Sequence, residues 1–360
     1  MHLQLVSFPI AYYPLVMKDP ASKAKPTLQN VADYAGVSIA SVSRVLNNIP
    51  PISEELRRQV ESAIRDLGYK AKRGSASIQA SVTVLIGDLH NTYFSDIISG
   101  IQNIADQKGI LINIVVNQPI PSFSTDFFRW ITRTTPMGLI ICSSNVAYTE
   151  ELQRLHELQG LPIVLINPPA NIPGLPSIRI DYEQGMAKAV QHAVKFHHTR
   201  IALVNGCEGA YSSLAKKRGV AATLDKTGYP LRQEYYVEQP ATIEGGFQAM
   251  NILLALPIGQ WPTAVIASTD LMGLGAIHAI RSHGLSIPDD ITVIGFDDIA
   301  MAAHANPPLT TISPPKFEMG YRAMNEILNF NKRESPAHND FVVMESPLIV
   351  RESSGPCKKL

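Results

Sequence analysis

Between Pro26 and Gly68, apolar residues recur every three or four positions in three short runs, separated by glycine, serine and proline. The first run places Leu28, Val31, Ala32 and Ala35 on one face of a helix that starts at Thr27, a good N-cap, and breaks at Gly36. The second, starting at Ser38, puts Val42, Val45 and Leu46 on one side and Ile39, Ala40, Ser43, Arg44 and Asn47 on the other. The third begins at Ser53, has Glu54 and Glu55 in its first turn, where the helix dipole favours them, and stops at Gly68. It buries Leu56, Val60, Ala63 or Ile64, and Leu67. From residue 81 onward the period changes. Apolar strands are predicted at Val82–Ile86, Ile110–Val116, Gly138–Ile141, Ile163–Ile166, Ile178–Ile180, Ile201–Val204, Ala264–Ala267 and Ile291–Phe296. Helical patterns such as Phe94–Lys108, Glu183–Phe196 and Leu271–His283 lie between most of them. Strand–helix alternation predicts parallel sheets covered by helices on both faces. About ten strands over roughly 280 residues exceed one compact doubly wound sheet, so two lobes are expected.

Helix, glycine turn, helix and a supporting third helix form a helix-turn-helix pattern. Its second helix points isoleucine, alanine and arginine outward, which an ordinary solvated face would not. In a major groove, Arg44 can pair with guanine or a phosphate, and Ile39 and Ala40 can meet thymine methyls. Thr27, Ser38, Ser43 and Asn47 suit phosphate oxygens. The alternative is a three-helix bundle making protein contacts. Charge favours DNA: residues 18–80 hold ten Lys/Arg against six Asp/Glu, a net of +4 in a chain with 31 of each. The remainder is therefore mildly acidic, as expected for a nucleic-acid-binding head on another domain. The stretch "KAKRGSASIQA", residues 70–80, is basic and small, with one large apolar residue, Ile78. It is either a flexible tether or a segment that forms a short helix when two chains pair, with Ile78 wedging into the minor groove.

The chain is 45% hydrophobic and 17% charged, a soluble globular composition, and no apolar run reaches the length of a membrane span. Its three cysteines, Cys142, Cys207 and Cys357, are far apart and fit no metal spacing, so a reducing cytoplasm and no disulfide are expected. Residues 1–16 lack a basic start and contain Pro9 and Pro14, a poor match to a signal peptide. Met17 reads as a natural start, which leaves residues 1–16 as a disordered extension or as sequence upstream of the true beginning, within an extension at 1–25 that precedes the ordered module.

The string "TLQNVADYAGVSIASVSRVLNN…ISEELRRQVESAIRDLGY" resembles the DNA-binding domain of the LacI/GalR family of bacterial transcription regulators. The likeness continues through "NTYFSDIISGIQNIADQKG", "LPSIRIDYEQGMAKAV", "PTAVIASTDLMGLGAIHAIRSHGLSIPDDITVIGFDDI" and "PPLTTI". It implies an all-α helix-turn-helix domain on an α/β, two-lobed, periplasmic-binding-protein-like body of two doubly wound parallel sheets. It also implies a homodimer on an operator in double-stranded DNA, and a small-molecule effector (a sugar, a sugar derivative or a nucleoside) between the lobes. The chain would cross between lobes near Ile178, Ile312 and Asp340. That divides it into a helix-turn-helix domain at 26–69, a hinge at 70–80, one lobe from 81–178 with 312–340, and the other from 179–311 with 341–360.

By the same resemblance Ile39, Ala40 and Arg44 sit where base-reading residues sit, and Ile78 where a minor-groove leucine sits. Ala71 stands in place of a common proline, and Gly74 weakens a hinge helix. In the cleft, Tyr93 and Phe94 match an aromatic pair able to stack on a ring or sugar face. Asn167, Ala241, Asp270 and Asp297 match other cleft positions, and Asp297 can accept from ligand hydroxyls. Lys216 stands where an arginine is usual, which keeps charge but loses the planar fork. Arg218 is a neighbouring substitute on another helix face, and Thr269 replaces an asparagine.

Other features are read as structural. "GLGAIH" at Gly273 lacks the third glycine and acidic partner of a dinucleotide fingerprint and reads as close helix packing. Adjacent His197 and His198 share no helix face for a metal and read as a helix end. Asp289–Asp290 reads as a turn. No phosphate loop, nucleophile signature or zinc spacing is present, so no cofactor or metal is expected. Three classes remain: a ligand-responsive repressor of a sugar or nucleoside operon, a transport-type binding protein, and an α/β sugar enzyme. The first is favoured by the helix-turn-helix; the others lack a signal peptide and a phosphate or dinucleotide motif respectively.

Overall fold

The computed structural model describes residues 26–46, 53–69, 80–116, 130–131, 134, 136–142, 149–207, 209–330, 341–356 and 358. The chain divides into two units, Met1–Ile78 and Gln79–Leu360.

The first unit is three helices whose ends are fixed by their own side chains. α1 (Leu28–Ala35) opens with a reciprocal cap: Asn30 N donates to Thr27 Oγ1, and Thr27 N donates to Asn30 Oδ1 at 2.8 Å. It closes at Gly36, φ 65°, where a left-handed residue turns the chain. α2 (Ile39–Leu46) is started by Ser38, whose Oγ accepts from Ser41 N at 3.0 Å. α3 (Glu54–Leu67) is capped by Ser53 and ended by Gly68. Val31, Ala32, Val42, Val45, Val60 and Ala63 form the buried centre, flanked by Leu28, Leu56, Ile64 and Leu67.

The second unit holds two six-stranded sheets. In the first lobe the order is β11-β5-β4-β3-β1-β2, from β1 (Ser81–Ile86), β2 (Leu111–Val116), β3 (Gly138–Cys142), β4 (Ile163–Ile166), β5 (Ser177–Ile180) and β11 (Phe341–Met344), all parallel. In the second it is β12-β10-β9-β8-β6-β7, from β6 (Ile201–Asn205), β7 (Tyr236–Glu238), β8 (Ala264–Ala267), β9 (Thr292–Phe296), β10 (Thr310–Ile312) and β12 (Leu348–Ile349). There only β12 runs antiparallel. The central strands are buried throughout, as parallel strands covered on both faces must be.

Two boundaries differ from expectation. β5 runs to Ile180, so the first crossing follows Ile180 rather than Ile178. Residues Phe341–Met344, expected in the second lobe, pair with β5 in the first, Val342 opposite Ile178 and Met344 opposite Ile180. The third crossing is therefore at 345–347, and the second lobe resumes with β12. The physical reason is that "FVVM" and "LIV" are equivalent apolar runs; the open edge of β5 selects the first, which no periodicity reveals.

The helices are α4 (Tyr93–Lys108), α5 (Thr149–Gln159), α6 (Tyr182–Lys195), α7 (Tyr211–Thr227), α8 (Ile243–Leu254), α9 (Asp270–Ser282), α10 (Ala300–Ala303) and α11 (Lys316–Asn329). α4 and α11 touch backbone to backbone: a Cβ on Gly100 would lie 2.0 Å from Phe317 O, and one on Gly320 would lie 1.9 Å from Ile97 O. Gly275 meets Ile243 O in the same way, so "GLGAIH" is helix packing. His198 donates from Nε2 to Gly355 O at 3.0 Å, fastening the C-terminal segment. Among the described residues no helix is long and apolar enough to cross a membrane, and no group of side chains could hold a metal ion.

Candidate functional site

Both sheets direct the carboxyl ends of their strands at one cavity of about 390 Å³, the position where open α/β sheets bind ligands. Tyr93 and Phe94 enter from the start of α4, Cys142 from the end of β3, and Asn167 from the end of β4. The opposite wall is Lys216 of α7, Ala241, Ser268, Thr269 and Asp297, which follow β6, β7, β8 and β9. Tyr182, just past the first crossing, also lines it.

The first wall is braced by a short polar chain. Asn167 sits at φ 52°, a left-handed turn that asparagine tolerates. Its Nδ2 donates to Tyr93 Oη at 3.1 Å, and its Oδ1 accepts from Ile180 N at 3.0 Å. Tyr93 and Phe94 meet edge to face at 5.4 Å between ring centres. Burial raises the Tyr93 phenol well above its ordinary range, so it stays a neutral hydroxyl.

The second wall is built around an ammonium. Lys216 is 5% exposed. Its Nζ donates to Ser268 O at 2.6 Å and stands 4.0 Å from the Phe296 ring centre and 5.2 Å from that of Tyr182. Burial pulls this ammonium down, and the carboxylates of Asp297 and then Asp270 oppose the shift. Asp297, also buried, is pushed up by desolvation and drawn back chiefly by Lys216. The cavity thus presents one cation and one carboxyl group that offset each other.

Tyr93, Phe94, Asn167, Lys216, Ala241 and Asp297 therefore line the cavity, and Asp270 does not. Asp270 is wholly buried beneath it, where Oδ2 accepts from Ile299 N at 2.8 Å and Oδ1 accepts from Thr311 Oγ1 at 2.5 Å. Both of its oxygens thereby tie α9 to the turn before α10 and to β10 within the second lobe. The lining residue is its neighbour Thr269, whose hydroxyl accepts from Met272 N as the cap of α9. Arg218 points away and pairs with Glu183 at 2.8 Å. Sequence reading missed Tyr182, Asn91, Ser213 and Ser268. All four stand at strand ends or helix starts, the one signal that would have found them.

On the helical unit, Thr27, Ser38 and Ile39 are exposed, Ile39 at 43% despite being a large apolar residue. The hydroxyls of Thr27 and Ser38 are engaged as helix caps. The side chains of Ala40, Ser43 and Arg44, and Asn47 and Ile78 altogether, lie outside the described residues, as do residues 1–25 and 70–79.

A capped helix-turn-helix followed by a two-lobed body with a cleft at its strand ends defines a DNA-binding transcriptional regulator with a ligand-binding body. Residues 27–72 match bacterial regulatory proteins of the lacI family, and residues 190–354 match the periplasmic binding protein-like domain. Catabolite control protein A of Priestia megaterium is 32% identical over 86% of this chain and 93% of its own length. The HTH-type transcriptional repressor CytR of Escherichia coli (strain K12) is 30% identical over 94% of this chain and 99% of its own. The lac repressor dimer bound to operator and the anti-inducer ONPF superposes with a TM-score of 0.67 at 25% identity, covering 92% of this chain and all of that one. A LacI family regulator from Enterococcus faecium with bound ribose gives 0.69 at 25% identity, covering 77% of this chain and 100% of its own. The chain belongs to the lacI family of bacterial regulatory proteins.

Proposed function

We propose that this protein is a repressor of a catabolic operon that handles a sugar or nucleoside, and that it binds a pseudo-palindromic operator as a homodimer in the cytoplasm. A small molecule in the cleft changes the angle between lobes and so the DNA affinity. The observation that carries the reading is that both lobes wall one cavity, so a ligand filling it has different contacts when the lobes separate. That difference is what a switch requires. The offsetting charges of Lys216 and Asp297 favour an uncharged, hydroxyl-bearing effector, with Tyr93 and Phe94 offering ring faces. The relatives named above, a repressor and a regulator solved with ribose, agree with that class. Action is by binding, without turnover of the ligand.

On the DNA side, Ile39, Ala40 and Arg44 read bases, Thr27, Ser38, Ser43 and Asn47 contact phosphates, and Ile78 enters the minor groove. Arg44→Ala should abolish operator discrimination in a gel-shift titration while ligand binding persists. Lys216→Ala should blunt the effector response with ligand-free DNA binding intact. Sequence-specific binding that survives Arg44→Ala would remove α2 from the recognition role.

A further inference from the structure

Lys316 opens α11 immediately after the second crossing, and its side chain is only 6% exposed. Its ammonium donates to the main-chain oxygens of Asp297 at 2.5 Å and Asp298 at 2.6 Å, and lies 3.1 Å from Asp96 Oδ2. Two of its three N–H donors are taken by the carbonyls, and the Asp96 carboxylate is its ion-pair partner, which gives the ammonium three oxygen partners. Two belong to the turn after β9 in the second lobe. The third belongs to the first turn of α4 in the first lobe. The backbone of Lys316 has no slack, because α11 is seated against α4 through Gly100 and Gly320.

The turn that Lys316 holds is strained. Asp297 has φ 119° and Asp298 φ 49°, values that side chains seldom adopt without support. The Asp297 side chain lines the cavity, while the Asp298 carboxylate accepts from Ser313 Oγ at 2.8 Å and Arg351 Nη2 at 2.6 Å. One two-residue turn thus has a carboxyl group in the cavity and its carbonyls on a lysine of the other lobe.

We propose that Lys316 is a positioning residue of the effector site, bridging the Asp297–Asp298 turn to Asp96 and so fixing both the Asp297 carboxyl group and the approach of the lobes. This rests on reading the cleft as the effector site. Loss of the ammonium leaves two inward carbonyls without a donor, and the turn relaxes by moving away from α4. Arginine keeps the charge and several donors, so it restores much of the bridge.

The test uses the full chain. Cys142 lines the cavity and is buried, so its alkylation by iodoacetamide without added ligand reports opening of the cleft. Lys316→Gln should accelerate it about tenfold, Lys316→Arg should stay within about threefold of wild type, and Asp96→Asn should fall between. Cys207, exposed and also lining the cavity, is resolved from Cys142 by peptide mapping of the alkylated protein. An unchanged Cys142 rate in Lys316→Gln overturns the proposal; should that variant fail to fold, an unchanged rate in Asp96→Asn does so. Calorimetry with D-ribose and with cytidine forms the second arm. Either probe, if bound by wild type, should bind Lys316→Gln at least about tenfold more weakly. Equal affinity overturns the positioning role and leaves the effector site standing. Faster alkylation in a protein that binds neither probe upholds the bridge and counts against the sugar or nucleoside reading.

Discussion

Replacing Gly320 by alanine sets two effects of opposite sign against each other. Gly320 lies inside α11, where alanine is favoured over glycine by about 1 kcal/mol of helix propensity. A Cβ there, however, would stand 1.9 Å from Ile97 O and 2.8 Å from Ile97 C. Both are backbone atoms of a buried helix and cannot rotate aside. The helices must part by about 1 Å before the methyl clears contact distance, and overpacking of this kind costs about 1–3 kcal/mol. The same displacement draws Lys316, one turn away, off the two carbonyls it holds at 2.5 and 2.6 Å. Hydrogen bonds to charged groups contribute about 1.5–3 kcal/mol each, and weakening both adds at least the lower figure. Sterics therefore win, with a net loss of about 3 kcal/mol, or about 6 °C in Tm for a body of this size. Differential scanning calorimetry measures it, with Gly259→Ala as the control, since a Cβ at Gly259 meets nothing within 4 Å. A Gly320→Ala protein that melts at or above the wild-type temperature would refute the reasoning.

Burial lowers the pKa of His198, whose Nε2 donates to Gly355 O while its buried Nδ1 has no partner. Below the ordinary histidine value of about 6.5 the unfolded chain takes up a proton that the folded chain refuses, so stability falls as pH falls. Asp270 works the other way, because burial lifts it to about 6 and the folded chain holds its proton at higher pH than the unfolded. Urea unfolding between about pH 7.5 and 5.5 should therefore show a smaller loss in His198→Gln than in wild type, by up to about 1.4 kcal/mol per pH unit. Identical slopes would exclude His198 as the titrating group. Asp270→Ala strands Ile299 N–H and the Thr311 hydroxyl, each costing about 1–3 kcal/mol, partly offset by removing a buried carboxyl group. Denaturation should show a net loss of about 2 kcal/mol, and effector affinity should hold within about threefold. A selective loss of affinity with unchanged stability would return Asp270 to the ligand site.

The helical head was open to sequence reading because its signals are local. Thr27, Ser38 and Ser53 cap helices, and Gly36 and Gly68 end them, each through contacts within a few residues. Parallel sheets followed from uninterrupted apolar strands for the same reason. Lys216 and Asp297 were reached only by family resemblance, since nothing near them in the chain marks a ligand. Thr269 lines the cavity and Asp270 lies beneath it because adjacent residues at a helix start point in different directions, and spacing does not say which one faces the cavity. Tyr182 and Lys316 were invisible because their roles arise where the chain crosses between lobes, and crossings bring together residues far apart in sequence.

The distribution of polar groups over the two walls also sets what a switching ligand must be. Moving a lobe equilibrium from 1:99 to 99:1 takes about 5.5 kcal/mol of differential affinity. Contacts with the second lobe alone are made in any lobe arrangement and supply none of it. The difference must come from the first wall, where Asn91, Tyr93, Phe94 and Asn167 stand. Two net hydrogen bonds there supply about 2–3 kcal/mol, and burying one ring face against Phe94 supplies the remainder at about 25 cal/mol per Å². A ligand that carries only a polyol edge for Asp297 should therefore bind without releasing DNA. One that also presents a flat or ring-shaped face to Tyr93 and Phe94 should do both. An operator-release assay comparing glycerol with D-ribose and cytidine separates the two cases, and release by glycerol at saturation would contradict the argument.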